Sequence, residues 1–251
     1  MIASVDLCWV VRAFSIVIAV LACAACDEAR DDSCGVPTDE ISLIATAVEN
    51  GPTFRTEVDF STKDAGGVHG LGLCEKDTLL VDGHETEEIE RPDRVVYSFT
   101  SDMPESRTVQ LELRREEGDS LSFTVDMPPS FEVTAPMIAA EVSRSSDFLL
   151  EWTPGNPGNK MGIALAEEVG NGVCLETMVA EHDYKGLSGV DIEDDGNWNI
   201  PSTAVDAGAR ERCDASYRFT RLASSAYPGE LLPGGYLEGR VERLVAFVSV
   251  P

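Results

Sequence analysis

Apolar and polar residues alternate along most of this chain with a period of two. From Thr53 to Phe60 one set, Phe54, Thr56, Val58 and Phe60, interleaves with Arg55, Glu57 and Asp59. Successive side chains of an extended strand point to opposite faces, so the first set is predicted to face a core and the charges water. The pattern recurs at Val109, Leu111 and Leu113, and again at Leu121, Phe123 and Val125. Between those runs REEGDS holds Gly118 for a turn, which predicts a hairpin. Strand signals begin at Ile41, and Leu79–Val81 before Asp82-Gly83 and Val95–Phe99 read as further strands.

The second half alternates too. Phe148, Leu150 and Trp152 interleave with Leu149 and Glu151 until Thr153-Pro154-Gly155-Asn156 ends the run. Met161–Ala166, Gly172–Met178, Trp198–Ile200, Ala215–Thr220 and Val241–Val250 complete the strand signals. One segment, Ser202 to Arg212, is predicted helical, with Gly208 against it. In the first half no apolar pattern at i, i+3, i+4, i+7 persists for three turns. Short strands punctuated by turns predict an all-β chain built as antiparallel β-sandwiches. Met127-Pro128-Pro129 and Ala135-Pro136 mark a semi-rigid linker, since proline breaks ladders and stiffens connections. The expected division is a first sandwich over 40–134 and a second over 135–251.

One stretch departs from the alternation altogether. Ala13 to Ala25 is an uncharged run of 13 residues behind Arg12, followed at once by DEARDDS. It is too short for a hydrocarbon core that needs roughly 20 apolar residues, and it fits the apolar region of a signal peptide. Residues 1–25 are therefore expected to be a leader, with 26–39, small and polar, as a tether.

Within the leader, VLAC and CAAC resemble the lipobox of bacterial lipoproteins, where small apolar residues precede a cysteine that receives lipid. Val20, Leu21 and Ala22 precede Cys23, whereas Cys23, Ala24 and Ala25 precede Cys26, so Cys23 is the preferred acceptor and Cys26 the alternative. A plain secretory signal is the competing reading. The likeness implies export and a lipid anchor on the cell envelope, at its periplasmic face or the cell surface. Each buried methylene of such an anchor contributes about 0.8 kcal/mol. Farther on, DFLLEWTPG after a proline-marked start resembles the early strands of fibronectin type III and related immunoglobulin-like domains. Taken with the other strands, it implies two tandem immunoglobulin-like sandwiches. The whole layout resembles uncharacterised two-domain lipoproteins of bacteria, which implies location and architecture but no activity.

The leader changes the cysteine count. With Cys8, Cys23 and Cys26 set aside, Cys34, Cys74, Cys174 and Cys213 remain, an even number suited to disulfides in an oxidising compartment. Two fall in each half, so Cys34–Cys74 and Cys174–Cys213 are the expected pairs, each closing a loop worth about 4 kcal/mol in the chain-entropy model. There is no C-x-x-C and no Cys/His pair at zinc spacing. Loss of the leader takes Asp6 and Arg12 together and leaves the net charge at −26. A surface so acidic repels nucleic acid, whose binding needs Lys and Arg to displace counterions.

Candidate chemistry is sparse. Asp191, Glu193 and Asp195 alternate ahead of Gly196, like the opening of a calcium loop, but position twelve is Ser202 where the motif needs Glu. The competing reading is a hairpin turned at Asp195-Gly196. Glu85, Glu87, Glu88 and Glu90 beside His84 read as a solvated acidic loop. Gly186-Leu187-Ser188-Gly189 lacks the spacing of a nucleophile elbow, and His69, His84 and His182 are the only histidines. Tyr184, Trp198, Tyr227 and Tyr236 lie beside loop residues as a candidate recognition patch. The expected function is a non-catalytic interaction or structural module, anchored to membrane by lipid, needing no cofactor and meeting an envelope or extracellular protein or glycan. The alternatives are a Ca²⁺-dependent carbohydrate or protein binder and a secreted hydrolase without a signature.

Overall fold

A computed structural model describes residues 32–250 apart from 65–66, 93, 117–119, 144, 156–159, 168–174, 179–182, 185–186, 189, 201, 203–204 and 208–211. After one short 3-10 turn at Thr38–Glu40 come β1 (Ile41–Asn50), β2 (Thr53–Asp64), β3 (Gly67–Leu71) and β4 (Thr78–Val81). β5 (His84–Glu85), β6 (Glu87–Arg91), β7 (Arg94–Asp102), β8 (Thr108–Arg114) and β9 (Leu121–Asp126) complete the first half. The second opens with β10 (Val133–Ala135), β11 (Glu141–Ser143), β12 (Phe148–Trp152), β13 (Lys160–Glu167) and β14 (Leu175–Met178). β15 (Asp183–Tyr184), β16 (Leu187–Ser188), β17 (Val190–Glu193), β18 (Asn197–Ile200) and β19 (Val205–Ala207) follow. A long hairpin, β20 (Cys213–Ser225) and β21 (Tyr236–Val250), ends the chain.

The alternation decides which faces are buried. In β2, Phe54, Thr56, Val58 and Phe60 are buried while Arg55 is exposed. β8 and β9 form the expected hairpin in the register Val109↔Val125, Leu111↔Phe123, Leu113↔Leu121, all six facing one core. Asp82 and Gly83, with φ of 49° and 80°, make the tight turn between β4 and β5, where both central residues need positive φ.

β5-β4-β8-β9 form one sheet, and it packs against β1, β2, β3, β6 and β7 around the first core. β10-β12-β18 form another, packed against β17, β13, β20, β21 and β11 around the second core. β10 pairs antiparallel with β12, and after Pro136 the chain crosses to pair β11 parallel with β21. The architecture is two tandem immunoglobulin-like β-sandwiches. Their larger sheets are one: a 10-stranded sheet runs in the order β17-β13-β20-β21-β1-β2-β7-β6, with β11 and β3 attached.

The C-terminal hairpin joins the halves. It is paired from Cys213↔Ser249 to Ser225↔Leu237. Tyr217, Phe219, Val245 and Phe247 enter the second core, whereas Leu231 and Leu237 enter the first. At about 3.3 Å per residue, the 15 residues of β21 reach about 50 Å, enough to traverse both sandwiches. Its N-terminal part pairs parallel with β1, from Ile44↔Tyr236 to Glu49↔Val241. The approach is close: a Cβ on Gly235 would lie 1.8 Å from the Leu43 carbonyl oxygen, and one on Gly239 2.2 Å from that of Asp126. The Tyr227 hydroxyl pins the hairpin tip, accepting from the Leu43 N–H at 3.0 Å and donating to the Leu232 carbonyl at 3.1 Å.

Two expectations are corrected. Within 202–212, residues Val205–Ala207 form a strand paired with β14, because the β-branched Val205 and its partner ladder outweigh a short alanine-containing stretch. Asp195-Gly196 does not turn a hairpin. β17 pairs with β13 in the large sheet while β18 pairs with β12 in the opposite one, so this turn is an arch from sheet to sheet. Gly196, at φ 97°, allows that arch to close against Trp152 and Pro154, and its own carbonyl accepts from the Trp152 N–H at 2.9 Å.

Candidate functional site

The most concentrated chemistry lies where the two sandwiches meet. Three charged residues occupy inward positions of otherwise apolar runs: Glu49 after Leu43, Ala45 and Ala47; Arg221 after Tyr217 and Phe219; Arg243 between Val241 and Val245. A buried charge is costly unless paired and hydrogen-bonded. Here they meet the linker. The Glu49 carboxylate accepts from Arg107 at 2.6 Å, Arg243 at 2.8 Å and the Ser130 hydroxyl at 3.0 Å. Burial alone would raise the Glu49 carboxyl, but the hydrogen bonds from Arg243, Arg107 and Ser130 outweigh it and hold it below the usual carboxylate range.

Proline has no N–H but keeps a full carbonyl acceptor, and the linker carbonyls collect the remaining guanidinium donors. Arg107 donates to Pro128, and Arg221 to Pro129 at 3.0 Å and Ser130 at 3.3 Å. Phe131 sits between two cations, with the Arg221 and Arg243 guanidinium carbons 4.6 and 5.6 Å from its ring centroid. Arg221 is 0 % exposed; its Nε lies 2.6 Å from Asp194 Oδ2, and the other carboxylate oxygen accepts from Trp152 Nε1 at 2.7 Å. The proline stretch expected as a spacer is thus a packed joint.

Glu49 gives that joint a pH signature. Its carboxyl titrates lower folded than unfolded, so its contribution is present above the unfolded value near 4.5 and is lost as pH falls through the folded one. Urea unfolding from pH 6 down to pH 3 is expected to show wild-type stability falling below about pH 4.5, with a shallower fall for Glu49→Gln. Parallel profiles would contradict this.

A second polar assembly fixes the N-terminal corner. Cys34 and Cys74 form a disulfide. Arg115, nearly buried, donates to the carbonyls of Ser33 at 2.7 Å and Val36 at 2.8 Å, to the Thr38 hydroxyl at 3.1 Å, and to Asp77 at 3.3 Å. The Ser33 hydroxyl in turn donates to Asp77 at 2.7 Å. From Ser33 onward the expected tether is therefore part of the fold. An open depression of about 360 Å³ lies beside this disulfide, and one of about 380 Å³ on the other side of Cys74 carries Glu75, Asp77, Glu85 and Glu88. Neither has a histidine in its wall.

The sequence candidates take varied places. Glu193 pairs with Lys160, and Asp195 caps the arch by accepting from the Asn197 N–H at 3.3 Å. The residue between them, Asp194, is the one that turns inward. The Asp191 side chain, Cys23, Cys26, Cys174, His182, the Tyr184 side chain and the Cys213 side chain lie outside the described residues. The acidic run is not a loop: Glu85 is in β5, Glu87, Glu88 and Glu90 in β6, and His84 stacks on Phe99 at 5.5 Å. Of the aromatic patch, Trp198 packs against the second core and Tyr227 holds the hairpin, so neither is a free recognition surface.

No protein-family model and no curated protein matches the chain. Among solved structures it overlaps the crystal structure of DIP-gamma IG1+IG2 with a TM-score of 0.25 and 9 % identity, covering 84 % of this chain and 98 % of that one. It overlaps Dpr11 IG1 bound to DIP-gamma IG+IG2 with a TM-score of 0.24 and 8 % identity, covering 84 % and 99 %. Overlap at that level carries no inference. The immunoglobulin-like description rests on this chain's own strand order and packed sheets.

Proposed function

We propose that this chain is an exported envelope protein, lipid-anchored through Cys23 or Cys26, that displays two rigidly joined sandwiches as a non-catalytic interaction or structural module. The observation that carries the reading is the joint. Its buried ionisable groups are committed to one another: Glu49 to Arg107 and Arg243, Asp194 to Arg221. Catalytic sites keep a polar group poised toward an open space; here the charges face inward and spend their bonds on holding two sandwiches in one orientation. That serves a protein whose work is to present a surface at a set distance from its anchor. The partner is then a protein or glycan of the envelope or its exterior, and the acidic surface excludes nucleic acid from that role.

The anchor is tested by fractionation. Cys23→Ser and Cys26→Ser together are expected to move the protein from the membrane pellet to the soluble fraction, and the single change that abolishes metabolic fatty-acid labelling identifies the acceptor. Unchanged sedimentation of the double variant would defeat the anchor.

A further inference from the structure

The N-terminal corner brings three metal-ligating groups together from two segments 40 residues apart. The Asp32 carboxylate and the sulfurs of Cys34 and Cys74 lie within 4.8 Å of one another, with Asp32 and Cys34 exposed and Cys74 half-buried. The disulfide joins the two sulfurs, and both cysteines line the open depression of about 360 Å³ beside it. Asp32 is held next to Cys34 by accepting from its N–H at 3.0 Å, the one side-chain hydrogen bond it makes among the described residues. The bonds that fasten the two segments do not run through sulfur. The Ser33 N–H donates to the Gly72 carbonyl at 2.8 Å, and the Ser33 hydroxyl accepts from the Cys74 N–H at 2.9 Å. That hydroxyl donates to Asp77 at 2.7 Å, while Arg115 holds the Ser33 and Val36 carbonyls. An exposed disulfide whose two ends are fastened independently can open without releasing the chain.

We propose that Asp32, Cys34 and Cys74 form a binding site for a thiophilic divalent cation, of which Zn²⁺ is the type, once this disulfide is reduced. The reductant is a dithiol. Its thiolate attacks the exposed Cys34 sulfur and two electrons pass into the Sγ–Sγ bond. The reductant leaves as its own disulfide, and its two protons end on Cys34 and Cys74. Binding of the cation then releases those protons to solvent, because the ligands are thiolates. With Zn–S of about 2.3 Å and Zn–O of about 2.1 Å, a tetrahedron sets the sulfurs about 3.8 Å apart and the carboxylate oxygen about 3.6 Å from each. Both separations fall inside the 4.8 Å that spans the three groups. Two sulfurs select a soft cation over Ca²⁺ or Mg²⁺, and a net charge of −26 concentrates cations at the surface. Three protein ligands leave the fourth position to water or to a group from a partner. The site stands apart from the joint, and neither the anchor nor the presentation of two sandwiches depends on it.

The test uses the full-length chain in detergent, reduced with dithiothreitol under nitrogen, freed of reductant and alkylated with iodoacetamide with or without Zn²⁺. Peptide mapping reads each cysteine separately, so Cys174, Cys213 and the leader sulfurs do not blur the result. Zn²⁺ is expected to slow alkylation of Cys34 and Cys74 together by at least about tenfold, while Mg²⁺ at the same concentration slows neither. Asp32→Ala is expected to raise the Zn²⁺ concentration for half-protection about tenfold or more, and Cys34→Ser to leave Cys74 unprotected. In the Cys174→Ser/Cys213→Ser chain, reduction opens Cys34–Cys74 alone within the folded part, and circular dichroism is expected to be the same before and after. Loss of the strand signal on that reduction would show that the polar bonds do not hold the corner, and would overturn the proposal. So would alkylation rates that Zn²⁺ leaves unchanged, or protection that is equal in Asp32→Ala and wild type.

Discussion

Replacing Asp194 with alanine is expected to lower the unfolding free energy by about 3–5 kcal/mol, because it strands a guanidinium with no access to water. Arg221 and Asp194 have side-chain exposures of 1 % and 0 %. The Arg221 side chain also holds the carbonyls of Pro129, Ser130 and Thr153, and Asp194 accepts from Trp152. Alanine removes the negative charge and the indole partner together, and Arg221 cannot reach solvent without opening the joint. Glu193→Ala, one residue away, removes an exposed pair with Lys160 and should change stability by at most about 1 kcal/mol. Urea denaturation of both variants separates the two cases. Equal midpoints would mean that the buried pair does not hold the joint.

The other large effect is expected at Gly239. A Cβ there would meet the Asp126 carbonyl oxygen at 2.2 Å and the Met127 Cα at 2.9 Å, both main-chain atoms that no side-chain rotation can clear. Gly239→Val must push β21 off the end of β9 and away from β1, uncovering Leu231 and Leu237 at the edge of the first core. Overpacking of this kind costs about 3 kcal/mol. The shape of the transition matters as much as its midpoint. With the hairpin in both cores, wild type should unfold in one cooperative step; with the hairpin displaced, the sandwiches should unfold separately. In protein lacking the leader, and with it Trp9, fluorescence reports the second sandwich, since Trp152 and Trp198 both lie there, and far-ultraviolet circular dichroism reports the whole. Gly229→Ala, with open space around its Cβ, is the matched control. Coincident fluorescence and dichroism curves for Gly239→Val at the wild-type midpoint would show that the close approach is unimportant.

Much of the joint was legible in the pattern of alternation. Glu49, Arg221 and Arg243 each stand at a position where the period of two calls for an apolar residue, and Asp194 continues the inward register of Ile192. A charge in that register must be paired or excluded, which is a signal available from the sequence. Reading the Asp191–Gly196 run by its alternate carboxylates selected Glu193 and Asp195, the solvent-facing phase, and passed over the phase that is buried. The partners were not legible. Glu49 meets Arg107 and Arg243, and Arg221 meets carbonyls of a proline stretch, across separations that no local spacing encodes.

The same division holds for the chain as a whole. Strand positions, the buried face of each strand, the β8–β9 hairpin and the β4–β5 turn follow from side-chain alternation and turn residues, which are local properties of the polypeptide. Which sheet a strand joins is a different kind of question. The arch at Asp195-Gly196 and a hairpin at the same dipeptide need the same residues, and only the competition between β12 and β17 for β18 decides between them. The parallel pairing of β1 with β21 depends on Gly235 lying against Leu43 and Gly239 against Asp126, contacts between segments more than 100 residues apart in sequence. Local chemistry determined that this protein would be built of strands; long-range packing alone decided that its two sandwiches share a sheet, because burial rewards a strand for the faces it covers and not for where in the sequence it arises.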